Sequence, residues 1–356
     1  MKTLYNTAKV LITVLVLTIN TNVMSQQVEP RPFKGQLDPQ ISKGTKEFLA
    51  ALNTSGGAPL ETLSPEKARG VLVSAQKSVE VDYSGIEESQ REITHKGQTL
   101  TIHIVKPKGA KENLPVFMFF HGGGWILGDY PTHRRLVRDL VVSSGAVAVF
   151  PDYTPSPEAR YPVAIHQAYA ATAWVAAYGN EIGVDGKRLA VVGNSVGGNM
   201  AAVVALLAKD ENGPQIRQQI LLWPVTDANF TRPSYTLYAK ERFLTTSMMK
   251  WMWDNYLPEA SDRKEIYASP FQASLTQLRD LPPALVQLAE NDILYDEGLA
   301  YGRKLDQAGV PTTITTYNGM IHDFGLLNPL AEEPAAKVAL LQAASVLKDA
   351  LFNQKN

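Results

Sequence analysis

Gly193-Asn194-Ser195-Val196-Gly197 follows the apolar run Leu189-Ala190-Val191-Val192 and leads into a helical stretch, Asn199–Lys209. In a strand-to-helix turn this tight, flanking glycines let the backbone bend without a Cβ clash. The central serine hydroxyl is then exposed with a helix N-terminus behind it, which is the geometry a serine nucleophile needs. A second glycine cluster, His121-Gly122-Gly123-Gly124-Trp125, ends the apolar run Val116-Phe117-Met118-Phe119-Phe120. Its unobstructed N–H groups could converge on an oxygen that is gaining negative charge. By composition, G-x-S-x-G arises by chance in roughly one chain in ten of this length, and H-G-G-G in about two per thousand. The glycine loop is therefore the stronger signal. It does not read as a dinucleotide loop, because G-x-G-x-x-G starting at Gly122 would need glycine where Leu127 stands.

A serine hydroxyl needs a base to take its proton, and the base needs an acid to orient it. Of the six histidines, His95 and His103 fall in the first strands, His121 belongs to the glycine loop, and His133 and His166 sit in helical stretches where surface or packing roles are expected. His322 remains, in Asn318-Gly319-Met320-Ile321-His322-Asp323-Phe324, read as a glycine-bearing loop after the strand Thr312–Tyr317. The acid should lie between serine and histidine. Ala289-Glu290-Asn291-Asp292-Ile293-Leu294-Tyr295-Asp296-Glu297 follows the strand Ala284–Leu288. Asp292 is the candidate because it lies in the loop just past that strand, with Glu290 in reserve. Asp296 and Glu297 open the next helix, where acids are expected for the helix dipole alone.

The elements that must carry these residues alternate. Short β-branched runs at Leu100–Val105, Val116–Phe120, Ala146–Phe150, Leu189–Val192, Ile220–Trp223, Ala284–Leu288 and Thr312–Tyr317 are interleaved with helical patterns such as Pro162–Tyr178, Asn199–Lys209 and Glu297–Ala308. This predicts an α/β fold with a mostly parallel central sheet and helices on both faces. Upstream, Ile41–Leu52 is helical, and Ser64-Pro65 places an N-cap and a proline at the first position of another helix. The interval 228–266 breaks the alternation and is crowded with Phe230, Tyr235, Tyr238, Phe243, Met248, Met249, Trp251, Met252, Trp253 and Tyr256. It reads either as a helix pair packed on the core or as a cap lining an apolar pocket.

The chain of 356 residues is 45% hydrophobic, which suits a folded core rather than disorder. Thirty-four Lys and Arg balance 35 Asp and Glu, so no net basic field draws in nucleic acid. With no cysteine, disulfides, thiolate catalysis and cysteine-ligated metals are excluded. Lys2 and Lys9 precede the apolar stretch Val10–Ile19, and Val23-Met24-Ser25 suits a signal peptidase. A secretory signal over 1–25, cut before Gln26, is expected, giving a periplasmic or secreted protein. Ten apolar residues fall short of the roughly 20 that span a bilayer, so no stable membrane anchor is expected.

On these residues the chain resembles an α/β-hydrolase of the hormone-sensitive-lipase-like carboxylesterase group. The markers are His121–Gly124, Asp152-Tyr153 with Pro157-Glu158 and Tyr161-Pro162, Gly193–Gly198, Asp292 with Asp296-Glu297-Gly298, and Gly319–His322. The resemblance covers roughly residues 35–350. It implies Ser195 as nucleophile, His322 as base and Asp292 as orienting acid, with the N–H groups of Gly123, Gly124 and Val196 forming the oxyanion hole. It also implies a helical cap built from residues 26–83 and an insertion at about 228–266 in a catalytic domain spanning 84–356. The expected reaction is hydrolysis of a small-molecule ester with a short to medium acyl or an aryl group, with no cofactor and no metal. Amide, formamide or carbamate hydrolysis would use the same triad, and a non-catalytic small-molecule binding protein is a further alternative on the same fold. The sequence sets no oligomeric state. Four departures stand out: Asn194 where relatives often carry an acid, Val196 where alanine is usual, Thr154-Pro155-Ser156 in place of Arg-Leu-Ala, and Asp323 where glycine is common after the histidine.

Overall fold

A computed structural model describes residues 29–111 and 113–353; the expected signal over 1–25 lies outside them. Eight strands form one sheet: β1 (Ile86–His95), β2 (Gln98–Pro107), β3 (Leu114–Phe120), β4 (Val147–Pro151), β5 (Val184–Asn194), β6 (Gln219–Leu222), β7 (Ala284–Asn291) and β8 (Thr312–Ile321). Their order is β1-β2-β4-β3-β5-β6-β7-β8, with β2 antiparallel to both neighbours and the remaining pairs parallel.

The alternation of side chains along each strand builds two cores. Val116, Met118 and Phe120 of β3 join Leu189 and Val191 of β5 on one face, while Phe117 and Phe119 join Ala190 and Val192 on the other. Helices α4 (Val163–Tyr178), α5 (Val196–Asp210) and α9 (Tyr295–Gln307) cover the first face; α1 (Lys43–Thr54), α3 (Tyr130–Ser144) and α10 (Pro334–Lys348) cover the second. Among the described residues, no helix is long and apolar enough to cross a membrane.

β1, where His95 was expected to fall in a strand, is a full ten-residue edge strand with a mostly exposed, charged sequence, so its extent did not show in the hydrophobic pattern. One sequence expectation needs correction. The segment before His322, read as a loop, is still strand. Ala289 pairs with Tyr317 and Asn291 with Ile321, so β8 accommodates extra residues in a bulge at Asn318-Gly319. Gly319 sits there at φ +77°, and its N–H donates to the Glu290 carboxylate at 2.8 Å. The reserve acid therefore closes the bulge.

The segments flanking the sheet are α2 (Pro65–Lys77), capped by Ser64 as expected, and α6 (Pro233–Leu237), α7 (Thr246–Tyr256) and α8 (Leu275–Leu278). The N-terminal segment meets the 228–266 interval at Asp38, which has no exposed surface. Arg31 donates to it through Nε and Nη2 at 3.0 and 2.8 Å, and Arg242 through Nη2 at 2.7 Å. Burial alone would raise this carboxyl, but the Arg31 bonds, the Gln40 amide and Arg242 overcome it and hold it at about 2. Because the folded value is depressed, the stabilisation is complete above the unfolded value and is lost as pH falls toward 2. Asp38→Asn should destabilise the protein at neutral pH by about 3 kcal/mol in urea unfolding. The gap to wild type should narrow as pH drops from about 4 to about 2; a gap independent of pH would contradict this account.

Candidate active site

β3, β5, β7 and β8 end at Phe120, Asn194, Asn291 and Ile321, and the residues immediately beyond are His121, Ser195, Asp292 and His322. Chain-distant groups singled out from the sequence are thus delivered to one edge of the sheet. Ser195 Oγ lies 2.9 Å from His322 Nε2, and His322 Nδ1 lies 2.7 Å from Asp292 Oδ2, with all three residues buried. With Nδ1–H donating to the Asp292 carboxyl oxygen, Nε2 is left to accept a hydrogen bond from the Ser195 hydroxyl. The other oxygen of Asp292 accepts Leu294 N–H at 2.9 Å, which fixes the acid in turn. Burial draws the His322 pKa down, but Asp292 and Asp323 more than reverse this and leave it raised.

Ser195 adopts φ +56°, a left-handed conformation unfavourable for a residue with a side chain. The turn is held by Ser195 N–H to the Leu222 carbonyl at 2.9 Å and by the Ser195 carbonyl, which accepts from Val225 and Asn199. Both flanking glycines are required by close approach. A Cβ on Gly193 would meet the Gly197 carbonyl at 2.1 Å, and one on Gly197 would meet the Phe120 carbonyl at 1.9 Å.

The glycine loop has its own supports. Gly123 sits at φ +107°, which only glycine adopts readily. The amides of Gly123, Gly124 and Val196 find no acceptor among the described residues. Gly122 N–H, by contrast, is shared between Asn194 Oδ1 at 3.0 Å and His133 Nε2 at 3.2 Å. His133 is completely buried, and burial, with His121 and Arg135 adding to it, drives its pKa well down. It is therefore neutral and its Nε2 can accept, while Nδ1–H faces the Asp129 carbonyl at 3.1 Å. His121 is likewise pushed down to about 4 by burial; its Nδ1 lies 2.8 Å from the Gly122 carbonyl and its ring stacks on Tyr153 at 4.1 Å. Helical position alone gave no hint of the His133 contact. His166 is exposed.

A family profile described as alpha/beta hydrolase fold matches residues 117–326. The chain belongs to the α/β-hydrolase family. Within it the chain falls in the hormone-sensitive-lipase-like group and is an enzyme of the carboxylesterase class. It is 35% identical to the carboxylesterase NlhH of Mycobacterium tuberculosis over 326 residues, 91% of this chain and 99% of that protein. It is 33% identical to an ethyl acetate hydrolase of Pseudomonas putida over 243 residues, 67% of this chain and 76% of that one. The crystal structure of a thermostable esterase from Pseudomonas putida ECU1011 superposes with a TM-score of 0.88 at 62% identity, covering 89% of this chain and 99% of the esterase.

One residue of this hydrolase departs from its sequence reading. Glu297, assigned to the helix dipole, is fully buried and accepts from Thr226 N–H at 2.7 Å, Asp227 N–H at 3.3 Å and the Tyr235 hydroxyl at 2.9 Å. It pins the start of the 228–266 interval to α9. A helix-start acid looks the same in sequence whether it faces water or this pocket. Burial pushes its pKa up to about 8; the Thr226 and Tyr235 bonds counter this only in part, and Asp227 adds to it. With the folded value raised, the fold binds this proton more tightly than the unfolded chain. Its stabilising contribution is present at low pH and is lost as pH climbs from the ordinary value of 4.5 through about 8. Wild type should therefore lose melting temperature relative to Glu297→Gln by roughly 3 °C or more between about pH 5 and about pH 8.5. Melting curves that stay parallel across that range would remove the argument.

Proposed function

We propose that this carboxylesterase works through an acyl-enzyme in which Ser195 is the nucleophile, His322 the general base and acid, and Asp292 the group that orients His322. The observation that carries the reading is the unbroken chain from Ser195 Oγ through His322 to Asp292, at 2.9 and 2.7 Å, standing on three strand ends. Ser195 Oγ attacks the ester carbonyl carbon while its proton passes to His322 Nε2. The carbonyl electron pair moves onto oxygen, where the unpaired amides of Gly123, Gly124 and Val196 receive it. As the tetrahedral intermediate collapses, His322 returns the proton to the leaving alcohol. Water then repeats the sequence on the acyl-enzyme.

Residues 29–83 and the 228–266 interval are read as one cap. The Asp38 cluster supports this, as does Met252 of α7, which lies so close over Gly124 that a methyl group there would meet its sulfur at 2.1 Å. Trp125, beside Gly124, stacks on Tyr256 at 3.9 Å and meets Trp253 edge-on at 4.9 Å. Such an apolar, covered surround favours short to medium acyl or aryl groups over long lipid chains.

The test is a series of nitrophenyl esters from acetyl to palmitoyl, with one aryl amide, on wild type and Ser195→Ala. Rates should fall toward palmitoyl, the amide should be slow, and Ser195→Ala should lose roughly 10⁴-fold or more in kcat. Equal rates in the two proteins would remove the nucleophile, and a preference for palmitoyl would remove the covered pocket. Because neutral His322 is the active form and its pKa is raised, the acid limb of kcat/KM should lie above the ordinary histidine value of about 6.5.

A further inference from the structure

Two of the four sequence departures, Asn194 and Asp323, face each other across 129 positions of chain. Asn194 Nδ2 donates to Asp323 Oδ1 at 2.9 Å, and the Trp223 indole N–H donates to the same oxygen at 2.6 Å. Asn194 Oδ1 meanwhile accepts Gly122 N–H at 3.0 Å. One side chain thereby links the glycine loop, the serine turn and the histidine loop. The Asp323 carbonyl also accepts the Leu326 and Leu327 amides at 2.8 and 2.9 Å, which fixes its own loop at φ +58°.

The second oxygen, Oδ2, lies 3.7 Å from His322 Nε2, the nitrogen that faces Ser195. Asp323 is 5% exposed, and among the described residues His322 is the one basic group within 4 Å of its carboxylate. A buried carboxylate served only by neutral donors is unfavourable, because hydrogen bonds from an amide and an indole do not replace lost hydration in full. It gains a countercharge only when His322 is protonated. That happens when the serine proton has moved to Nε2.

We infer that Asp323 is a positioning residue that supports His322 from its reactive side, stabilising the imidazolium formed during acyl transfer while Asp292 holds the opposite nitrogen. The distance matters to this role. At 3.7 Å the carboxylate attracts the charge without making a hydrogen bond that would divert the proton from the leaving alcohol. Asn194 and Trp223 enforce the distance by holding Oδ1. The titratable groups facing His322 are Asp292 from the end of β7, Asp323 from its own loop and, farther off, Glu297 from α9. Only Asp323 approaches Nε2. This inference rests on His322 being the base of the proposed triad.

The experiment compares wild type, Asp323→Asn and the swapped pair Asn194→Asp/Asp323→Asn. It measures the pH profile of kcat/KM and, by NMR, the titration of the His322 imidazole. Asp323→Asn keeps a polar group between Asn194 and Trp223 but removes the charge. Its acid limb and the His322 titration should both move to lower pH by roughly one unit, and kcat should fall about tenfold with KM little changed. The swapped pair keeps one acid and one amide at these positions but moves the charge to position 194, away from Nε2, so its limb should also stay below that of wild type. A limb and a titration that both remain at the wild-type pH in Asp323→Asn would overturn the proposal. So would full return of the limb in the swapped pair, since a tether alone would then explain the effect. If Asp323→Asn does not fold, the swapped pair carries the test on the same readouts. Failure of the triad itself looks different: activity survives in Ser195→Ala, while the NMR titration still reports whether Asp323 acts on His322.

Discussion

Phe120 pairs with Gly193, Asn194 with Leu222, Leu222 with Gln287 and Asn291 with Ile321, so five parallel strands end on the same side of the sheet, with β7 and β8 reaching further than β6. Register in a sheet buried on both faces is strongly specified, because a slip of one residue would turn every side chain onto the wrong core. The cores of Val116, Met118, Leu189 and Val191 on one side and of Phe117, Phe119, Ala190 and Val192 on the other therefore fix the sheet and, with it, the positions of His121, Ser195, Asp292 and His322. β3 lies between β4 and β5, where the strand order reverses, and in open α/β sheets that crevice is where ligands bind.

The geometry at Ser195 then depends on backbone close to its steric limit. Gly197 passes the Phe120 carbonyl with no room for a Cβ, and Gly122 also lies close against Asn194, so the serine turn and the glycine loop are packed as one unit. Strain of the kind seen at Ser195 is worth about 1–3 kcal/mol and persists only where the surroundings over-determine it. Here that is done by two backbone hydrogen bonds to the segment Leu222–Val225, a third from Asn199, and the packing of α5, whose residues from Val196 to Ala208 are buried throughout. With no cysteine in the chain, packing of this kind is what holds the site.

What was legible in the sequence follows from range. Apolar runs of four to six residues and glycines at fixed offsets are local, and they located seven of the eight strands, the serine turn, the glycine loop and the histidine that the structure brings beside the serine. β1 was marked only by His95 and its extent did not show, because an edge strand need not be apolar. The bulge in β8 escaped because Gly319 reads as a loop until Glu290, 29 positions earlier, is known to accept its N–H. His133, Glu297 and the Asn194–Asp323 pair escaped for the same reason. Each is an ordinary polar residue whose meaning lies in a partner on another strand end. The departures at 194 and 323 were visible singly, but nothing local says that they touch.

Among the almost wholly buried acids, the partners of Asp38, Asp292, Glu297 and Asp323 sort them by task. Asp38 is neutralised by two guanidinium groups and ties two distant segments together. Among the described residues Glu297 has hydrogen-bond donors but no cation in contact, so it resists ionising and ties α9 to the start of the 228–266 interval. Asp292 and Asp323 bracket one imidazole, Asp292 in hydrogen-bond contact with Nδ1 and Asp323 just out of contact with Nε2. A single carboxylate on Nδ1 orients the ring but leaves the charge created on the other nitrogen unsupported. A second in full contact with Nε2 would hold the proton too tightly to release it. The separation at Asp323 lies between these extremes, and its loop is anchored through Asn194 to both the serine turn and the glycine loop.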